Sequence, residues 1–468
     1  MRTLWFRLLF VIFGALSLAA AGFAQAGPFQ GSVSPAASVA TPSDQPVKLS
    51  LDDALQRGLR YNLGAVRSLQ DSRQAQGATI ASRADLMPNL STGLRETVQQ
   101  IDLAEFGFKL PPGSPFAFPQ VLGPSNYFDL RAMLTQRVAD LQALRTYQSS
   151  REAQRAAELS AVNARETVVY VVTAGYLQVL AEAARVDSAR AQVATAQAIY
   201  QQAQDRFSAG LSAKIDRTRS EVELQTQQQR LTAEQAAYAK DKIALARLIG
   251  FPAGQDLILT DALPYAPLEN LTLIQAIALA SENRSDLKSA QAQVRAAELS
   301  LRAAHAERYP TLDLGGDYGL AGVNPGNSHG SFSATAQIRF PIWAGGHSRG
   351  DIEEADASLQ RTRADYDDLR AQVEAQVRTA YLDLNAAADQ VQVAQSRREL
   401  AQDELAQARD RFSSGVADTV EVVQAQEAVS SAEQDYIASL NAHNLAKASV
   451  ARAVGQAEKI IRTLLRSQ

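Results

Sequence analysis

The chain has 468 residues, of which 46% are hydrophobic and 6% aromatic, and its formal net charge at pH 7 is −4. This apolar content supports a sizeable buried core and excludes a disordered tail, while the weakly acidic charge argues against a nucleic-acid binder. Cysteine is absent, which excludes structural disulfides, thiolate metal sites and a lipid anchor on an N-terminal cysteine.

The N-terminus has the pattern of a secretory signal peptide. Basic Arg2 and Arg7 precede an apolar run from Leu8 to Ala21, and an A-x-A arrangement of small residues ends at Ala26. The run is too short to favour a membrane span, so we predict cleavage after Ala26 and a signal peptide at residues 1–26. We expect no later stretch to form a transmembrane helix, and an integral membrane location would therefore require a β-barrel.

The rest of the chain is predicted to hold two copies of one structural unit. Residues 27–48 are rich in Pro, Ser and Ala without periodicity, which favours an extended tether. The first repeat is placed at residues 49–262 and the second at residues 263–458, with a C-terminal tail at residues 459–468.

Matching motifs carry this duplication. Leu49-Ser50-Leu51 recurs as Leu271-Thr272-Leu273, and Asn62 is matched to Asn283, at an offset of about 222 residues. Farther on, an A-Y-L-like core motif and a D-R-F-S-x-G run each recur at an offset of about 205 residues. The shorter offset indicates an insertion in the first copy, which we place at residues 101–123.

Proline placement predicts very long helices in both copies. No proline occurs between Pro124 and Pro252 or after Pro341, so each tract can hold a continuous antiparallel helix pair. A helix from Leu141 to Phe207 would be about 100 Å long at 1.5 Å per residue, far longer than a compact core needs. The D-R-F-S-x-G runs end at Gly210 and Gly415, which we predict to cap these helices and to mark the tips of two hairpins.

Four segments between the helical tracts alternate between apolar and polar residues, as strands do. In the clearest one the even-numbered residues from Phe332 to Ile342 are apolar and the odd-numbered residues from Ser333 to Arg339 are polar. The segments 311–320, 128–135 and 90–98 alternate similarly. An apolar face and a charged face suit a barrel wall between lipid and a wet lumen, with a half-buried soluble sheet as the alternative.

Four strands per chain predict an oligomer. They cannot close a conducting barrel alone, and an open sheet edge in hydrocarbon would leave backbone groups unpaired at several kcal/mol each. Three copies would supply about twelve strands, a number at which a lumen begins to open.

The duplicated strand-and-helix unit, the export signal, the A-Y-L motif and the R-F-x-x-G tips together resemble the TolC-like outer membrane efflux protein family. The resemblance covers nearly the whole mature chain. It implies a mainly α-helical fold with a membrane β-barrel portion: a homotrimer whose twelve-stranded β-barrel in the outer membrane continues as an α-helical barrel across the periplasm. It also implies outer membrane lipid, a periplasmic adaptor (membrane fusion) protein and an inner-membrane pump as partners.

In that family, an acidic residue six positions after each tip glycine helps to ring the periplasmic entrance. Those positions hold Asp216 and Glu421 here. Carboxylates repeated around a three-fold axis would favour cations, while an ordinary role at a solvated helix N-terminus is the alternative reading.

The closing latch must differ from that of the best-known member, because Phe412 and Ala417 replace its Tyr and Arg and lack their side-chain hydrogen bonds. Lys214, Arg217 and Asp418 are candidates for it. The tips expected to dock the adaptor comprise Gly210, Leu211, Ser212, Gly415, Val416 and Ala417.

Motifs of catalysis and cofactor binding are weak or missing from the sequence. The G-x-S-x-G pattern around Ser328 precedes a strand and not the helix that a nucleophile elbow requires, so we expect a surface hairpin loop there. The histidines His305, His329, His347 and His443 have no metal-ligand spacing, and no nucleotide-binding motif is present. We therefore expect no enzyme activity, no cofactor and no resident metal.

The sequence favours a passive conduit that exports small molecules delivered by a pump in a tripartite efflux system. Type I protein secretion uses the same kind of outer membrane component and is a second possibility. A periplasmic coiled-coil adaptor is the alternative from a different class, although an adaptor would not repeat the whole unit. A hydrolase built on Ser328 is the weakest reading.

Overall fold

The computed structural model describes residues 45–103, 121–252, 254–262 and 271–464 of the chain. The predicted signal peptide, most of the predicted tether, most of the predicted insertion and the last four residues of the predicted tail lie outside the described residues. Within this part of the chain the fold is mainly helical, with one four-stranded antiparallel sheet.

The bounds of the elements follow the chain order. The strands are β1 (Val47–Leu49), β2 (Asn89–Asp102), β3 (Val121–Ala139), β4 (Leu257–Leu259), β5 (Thr311–Gly322) and β6 (Ser328–Arg339). The helices are α1 (Leu51–Tyr61), α2 (Leu63–Ala84), α3 (Leu141–Ser208), α4 (Lys214–Leu248), α5 (Leu273–Asn283), α6 (Ser285–Ala306), α7 (His347–Ser413), α8 (Thr419–Ala453) and α9 (Ala457–Leu464).

The duplication holds element by element. The series α1, α2, β2, β3, α3, α4 recurs as α5, α6, β5, β6, α7, α8. Helices α4 and α8 each have 35 residues, and α3 and α7 have 68 and 67. The predicted fold class of four strands and very long helices per chain is thus confirmed, as is the prediction that both proline-free tracts form helix pairs.

Each copy begins with a capped helix. Ser50 and Thr272 are the N-caps of α1 and α5, and each forms a capping box with the residue three positions later. The next junction differs, because Asn62 caps α2 with its side chain whereas its structural counterpart is Arg284 and not the predicted Asn283. The predicted match was therefore wrong by one residue. It paired two asparagines, but the residue that directly follows α5, as Asn62 directly follows α1, is Arg284.

Arg284 is an almost fully buried cation in the second copy. Its guanidinium pairs with Asp286 and donates to the carbonyl of Ala453 and to Gln376. Burial alone would raise the pKa of Asp286, but the hydrogen bonds and charge of Arg284 outweigh it and hold the pKa below its usual value. A charged network here replaces the single side-chain cap of the first copy.

The four-stranded sheet has the order β2-β3-β5-β6. Leu90 lies opposite Leu134 in β2 and β3, and Tyr318 lies opposite Phe332 in β5 and β6. Because side chains alternate between the faces of a sheet, this register gathers most of the large apolar residues of the four strands on one face. The predicted alternation is therefore a property of the whole sheet.

Helix α3 is the central core helix of the first copy. Tyr176 on it is buried, and its hydroxyl donates to Asp261 Oδ2 at 2.8 Å and contacts the Leu49 carbonyl at 3.0 Å. Among the described helices, α3 alone is long and apolar enough to cross a membrane, contrary to our expectation, but 56% of the apolar window is buried within the fold. This apolarity is that of a core helix.

The second A-Y-L-like motif packs differently from the first, although its Ala380 is buried in the core of the second copy. Leu177 is 2% exposed, whereas the equivalent Leu382 on α7 is 66% exposed. The alanine of the second motif is thus a core residue, whereas its leucine lies on the surface of the chain.

Both ends of the described fold are tied to the body. Val47–Leu49 pairs in parallel with Leu257–Leu259, so the last residues of the predicted tether form a strand. The predicted boundary between the second repeat and the tail, at residues 458 and 459, falls inside α9, where Ile461 is buried in the core of the first copy. Long-range packing, which local composition does not reveal, holds these segments.

Candidate functional site

The first hairpin reverses between α3 and α4. Gly210 has a φ of +73°, a left-handed conformation that favours glycine. Its N–H donates to the Phe207 carbonyl at 3.0 Å, and the N–H of Leu211 donates to the Arg206 carbonyl at 2.8 Å. This bond pair is a Schellman motif, so the predicted helix cap is confirmed.

The second hairpin reverses between α7 and α8 in the same way. Gly415 has a φ of +76°, and the N–H of Val416 donates to the Arg411 carbonyl at 2.9 Å. Leu211 and Val416, one position after each glycine, are both strongly exposed. The two tips thus present equivalent apolar side chains to solvent.

The two predicted entrance carboxylates occupy the third position of the helix that follows each tip. The side chain of Asp216 is 22% exposed and lies 4.0 Å from Arg219. The side chain of Glu421 is 40% exposed and lies 3.4 Å from Arg411. Both stabilise a helix N-terminus, and each has a cation nearby that offsets part of its charge.

The other predicted gate residues have different surroundings. Lys214 is exposed at the start of α4. Arg217 lies over the Phe207 ring at 5.6 Å and within 3.9 Å of Glu221. Asp418, proposed for a latch, is the N-cap of α8, where its Oδ1 accepts from two backbone N–H groups at 3.1 and 3.2 Å.

Arg206 is a tip residue that sequence reasoning missed. Its Nη1 donates to the Phe412 carbonyl at 2.6 Å, and its guanidinium lies 4.9 Å from the centroid of the Phe412 ring. Phe412 lacks the hydroxyl of a tyrosine but still accepts a hydrogen bond through its backbone. The sequence did hold a sign of this contact, because the arginine and the phenylalanine both recur in the repeated D-R-F-S-x-G run.

Arg206 therefore links the two tips within one chain. It lies in the last turn of α3, and its partner lies in the last turn of α7. A charged hydrogen bond at a partly buried position is worth about 1.5–3 kcal/mol. The arrangement can hold two helical hairpins together where they end.

The sheet supplies the second functional surface. Its apolar face includes the exposed side chains of Leu90, Leu94, Tyr318, Phe332 and Ile338. The opposite face carries a charged ladder in which Arg131 pairs with Asp129 at 3.1 Å and with Asp317. One face thus suits hydrocarbon and the other suits water.

The chemical motifs of the sequence do not assemble a catalytic site. Ser328 follows a single 3₁₀ turn and begins β6, so the strand-to-helix elbow of a hydrolase is not formed there. His347 and Asp351 approach Glu307, with ligand atoms within 4.8 Å of one another, a grouping that could hold a metal ion and that we did not expect. Glu307 is 40 residues from His347 along the chain, so residue spacing gave no sign of it.

The long helices, the two-faced sheet and the paired tips define a transport channel of the outer membrane. Residues 52–251 and 276–456 match the family model described as outer membrane efflux protein, and the chain belongs to that family. It is an outer-membrane efflux channel and not an enzyme, as the sequence predicted.

Similar proteins and a similar structure are also found. Protein CyaE of Bordetella pertussis is 31% identical over 188 residues, which cover 39% of this chain and 40% of that protein. The toluene efflux pump outer membrane protein TtgF of Pseudomonas putida is 26% identical over 76% of this chain and 72% of its own length. The crystal structure of VceC from Vibrio cholerae has the same fold, with a TM-score of 0.73 at 17% identity over 86% of this chain and 96% of VceC.

Proposed function

We propose that three copies of the chain form one passive conduit for small molecules across the outer membrane and the periplasm. The observation that carries this proposal is the open four-stranded sheet with an exposed apolar face. In the described part of the chain, β2 and β6 each have a sheet neighbour on one side only.

Closure of the sheet requires other copies. An unpaired strand edge in hydrocarbon costs several kcal/mol per backbone group, so β6 of one copy is expected to pair with β2 of the next. Three copies give twelve strands and a water-filled lumen lined by the charged face of Arg131 and Asp317. The homotrimer also places the apolar face against outer membrane lipid.

The helices extend this conduit inward. Helices α3 and α7, at 68 and 67 residues, are each about 100 Å long at 1.5 Å per residue. Exposed apolar side chains on α7, such as Leu382, Val393 and Leu400, are suited to contact a neighbouring copy in an α-helical barrel.

The tips form the gate of the conduit. Arg206 ties the two hairpins of each chain together, and its release would let them separate. Asp216 and Glu421 of three copies add negative charge around the entrance, which favours cations. The exposed Leu211 and Val416 provide apolar contacts for a periplasmic adaptor, which links the conduit to an inner-membrane pump.

The name of one relative supports a class of cargo. TtgF is named for a toluene efflux pump, and its similarity spans most of this chain. Small molecules supplied by a pump are therefore favoured over secreted proteins.

The test is reconstitution of the purified mature chain. We expect light scattering in detergent to give a protein mass of three chains, and planar bilayers to show discrete conductance steps. A monomer that gives no conductance would contradict the conduit and favour a periplasmic adaptor.

A further inference from the structure

Three side chains that can bind a metal ion meet where the sheet joins the helices of the second copy. Glu307 is the C-cap of α6, His347 is the first residue of α7, and Asp351 lies one turn later on α7. One ligand atom of each residue lies within 4.8 Å of those of the other two. The grouping brackets the β5–β6 hairpin, whose strands lie between Glu307 and His347 in the chain.

His347 and Asp351 form a chelating pair on one face of α7. Residues four positions apart are neighbours on a helix surface. His347 Nδ1 lies 3.1 Å from Asp351 Oδ1. Two ligands bonded to one zinc ion at about 2.0–2.1 Å lie about 3.3 Å apart in tetrahedral geometry. The pair is therefore already close to the spacing that one ion requires.

Glu307 supplies an oxygen that the described part of the chain leaves unsatisfied. Its Oε2 is buried and has no hydrogen-bond partner there. Arg349, the first cation of α7, pairs with Glu353 at 3.0 Å instead. A buried carboxylate oxygen without a partner is costly, and a bound cation removes that cost. The helix dipoles offset one another, because the end of α6 favours a cation and the start of α7 opposes it.

The first copy lacks this ligand set at the equivalent junction. The C-cap of α2 is Asp85, but α3 begins with Leu141, and Arg145 lies one turn later. Leucine offers no ligand atom, and the guanidinium of Arg145 repels a cation. The fold that the two copies share does not require the set, so packing alone does not account for it.

We propose that Glu307, His347 and Asp351 bind one divalent transition metal ion, with zinc as the expected occupant. Zinc accepts an imidazole together with carboxylates, whereas magnesium and calcium prefer oxygen ligands alone. Three protein ligands leave a position for water, and the side chain of His347, 69% exposed, keeps the site open to solvent. The inference does not depend on the proposed conduit, because all three ligands belong to one chain.

The ion acts as a clip between α6 and α7. The chain between them ends in an irregular segment, residues 340–346, in which Gly345 and Gly346 have φ values of +63° and +97°. Gly346 is the N-cap of α7 and provides no side-chain hydrogen bond. A metal that closes this loop restricts the segment and the first turn of α7.

Titration of the purified chain with Zn²⁺ tests the site, provided that the chain carries no histidine tag. We expect calorimetry to give one bound zinc ion per chain. His347→Ala should weaken binding at least tenfold, as should the isosteric changes Asp351→Asn and Glu307→Gln, because each removes one ligand. Circular dichroism of the helices checks that every variant folds.

Two matched controls separate this site from general binding of zinc to the surface. His305 lies two residues before Glu307 but outside the grouping, and Asp85 is the first-copy counterpart of Glu307. His305→Ala and Asp85→Asn should therefore keep the affinity of the unaltered chain. X-ray absorption at the zinc edge should show an imidazole ligand that disappears in His347→Ala.

Amide hydrogen exchange tests the clip itself. At a free zinc concentration ten times the Kd, any opening that breaks the site is disfavoured about elevenfold. Exchange at residues 347–351 should slow accordingly, and zinc should have no such effect in His347→Ala. Failure to bind zinc, or equal affinities in the ligand variants and the controls, would refute the site. Zinc that binds without slowing this exchange would overturn the clip.

Discussion

The two hairpin tips have the same reversal but are fixed to different degrees. Both use a left-handed glycine and a Schellman motif, and both place a carboxylate at the third position of the next helix. The second tip also has Asp418 as an N-cap, and its carboxylate lies nearer to an arginine, 3.4 Å from Glu421 to Arg411 against 4.0 Å from Asp216 to Arg219. The hydrogen bond from Arg206 to Phe412 joins the two tips and so stabilises both. The first tip has Ala213 at the capping position, where no side chain accepts a hydrogen bond.

This difference shows how a duplicated sequence gives unequal halves. The glycine and the helix lengths are common to both copies, so the geometry of reversal is preserved. The capping side chain differs between the copies. The partner of the equivalent arginine differs as well, because Arg206 binds Phe412 of the other tip whereas Arg411 pairs with Glu421 of its own tip. The first turn of α4 therefore has fewer stabilising side-chain interactions than the first turn of α8.

Loss of Arg206 is expected to have the largest effect on this pair of tips. Arg206→Ala should raise the open probability about tenfold or more in single-channel recordings, because a charged hydrogen bond worth about 1.5–3 kcal/mol is lost together with a cation–π contact. Arg206→Lys should be intermediate, since it keeps the charge but loses the planar contact with Phe412.

Arg190→Ala is the matched control, because Arg190 lies on the same helix in an exposed pair with Asp187. Equal open probabilities for the Arg206→Ala and Arg190→Ala channels would show that Arg206 does not hold the tips together.

Removal of the entrance charges should have a smaller effect. We expect Asp216→Asn with Glu421→Gln to lower the cation-to-anion permeability ratio by about twofold, because nearby arginines and salt already screen these carboxylates. Asp216→Asn alone should account for more of the change, since Arg411 is closer to Glu421 than Arg219 is to Asp216.

The measurement is the reversal potential in a salt gradient across a planar bilayer. Asp389→Asn, at an exposed position on α7 away from the tip, serves as the control. An unchanged ratio in the double variant would remove both carboxylates from the entrance.

Exchange of the capping residues should have the smallest effect and tests the comparison most directly. Asp418→Ala should destabilise the first turn of α8 by about 1 kcal/mol, and Ala213→Asp should stabilise the first turn of α4 by a similar amount. Amide hydrogen exchange should therefore become about fivefold faster at residues 420–422 and about fivefold slower at residues 215–217.

Each variant is the control for the other, since the changes are opposite in sign at equivalent positions. If Ala213→Asp leaves exchange in α4 unchanged, the missing cap is not what loosens the first tip.

The sequence by itself determined the features that depend on local pattern. Proline-free tracts, alternating strands and the two tip glycines predicted the long hairpins, the sheet and the reversals, because each reflects backbone constraints or periodicity within a few residues. The repeated motifs added the duplication and the family. These observations also located Asp216 and Glu421 at the tips.

Only the tertiary structure decided which residues meet across the chain. The contact of Arg206 with Phe412 joins residues 206 positions apart, and the approach of Glu307 to His347 joins the residue after α6 to the first residue of α7. Leu177 and Leu382 occupy equivalent motifs, yet one is buried and the other exposed. Local pattern cannot specify such outcomes, because burial and pairing depend on which helix packs alongside and not on the spacing of neighbours in sequence.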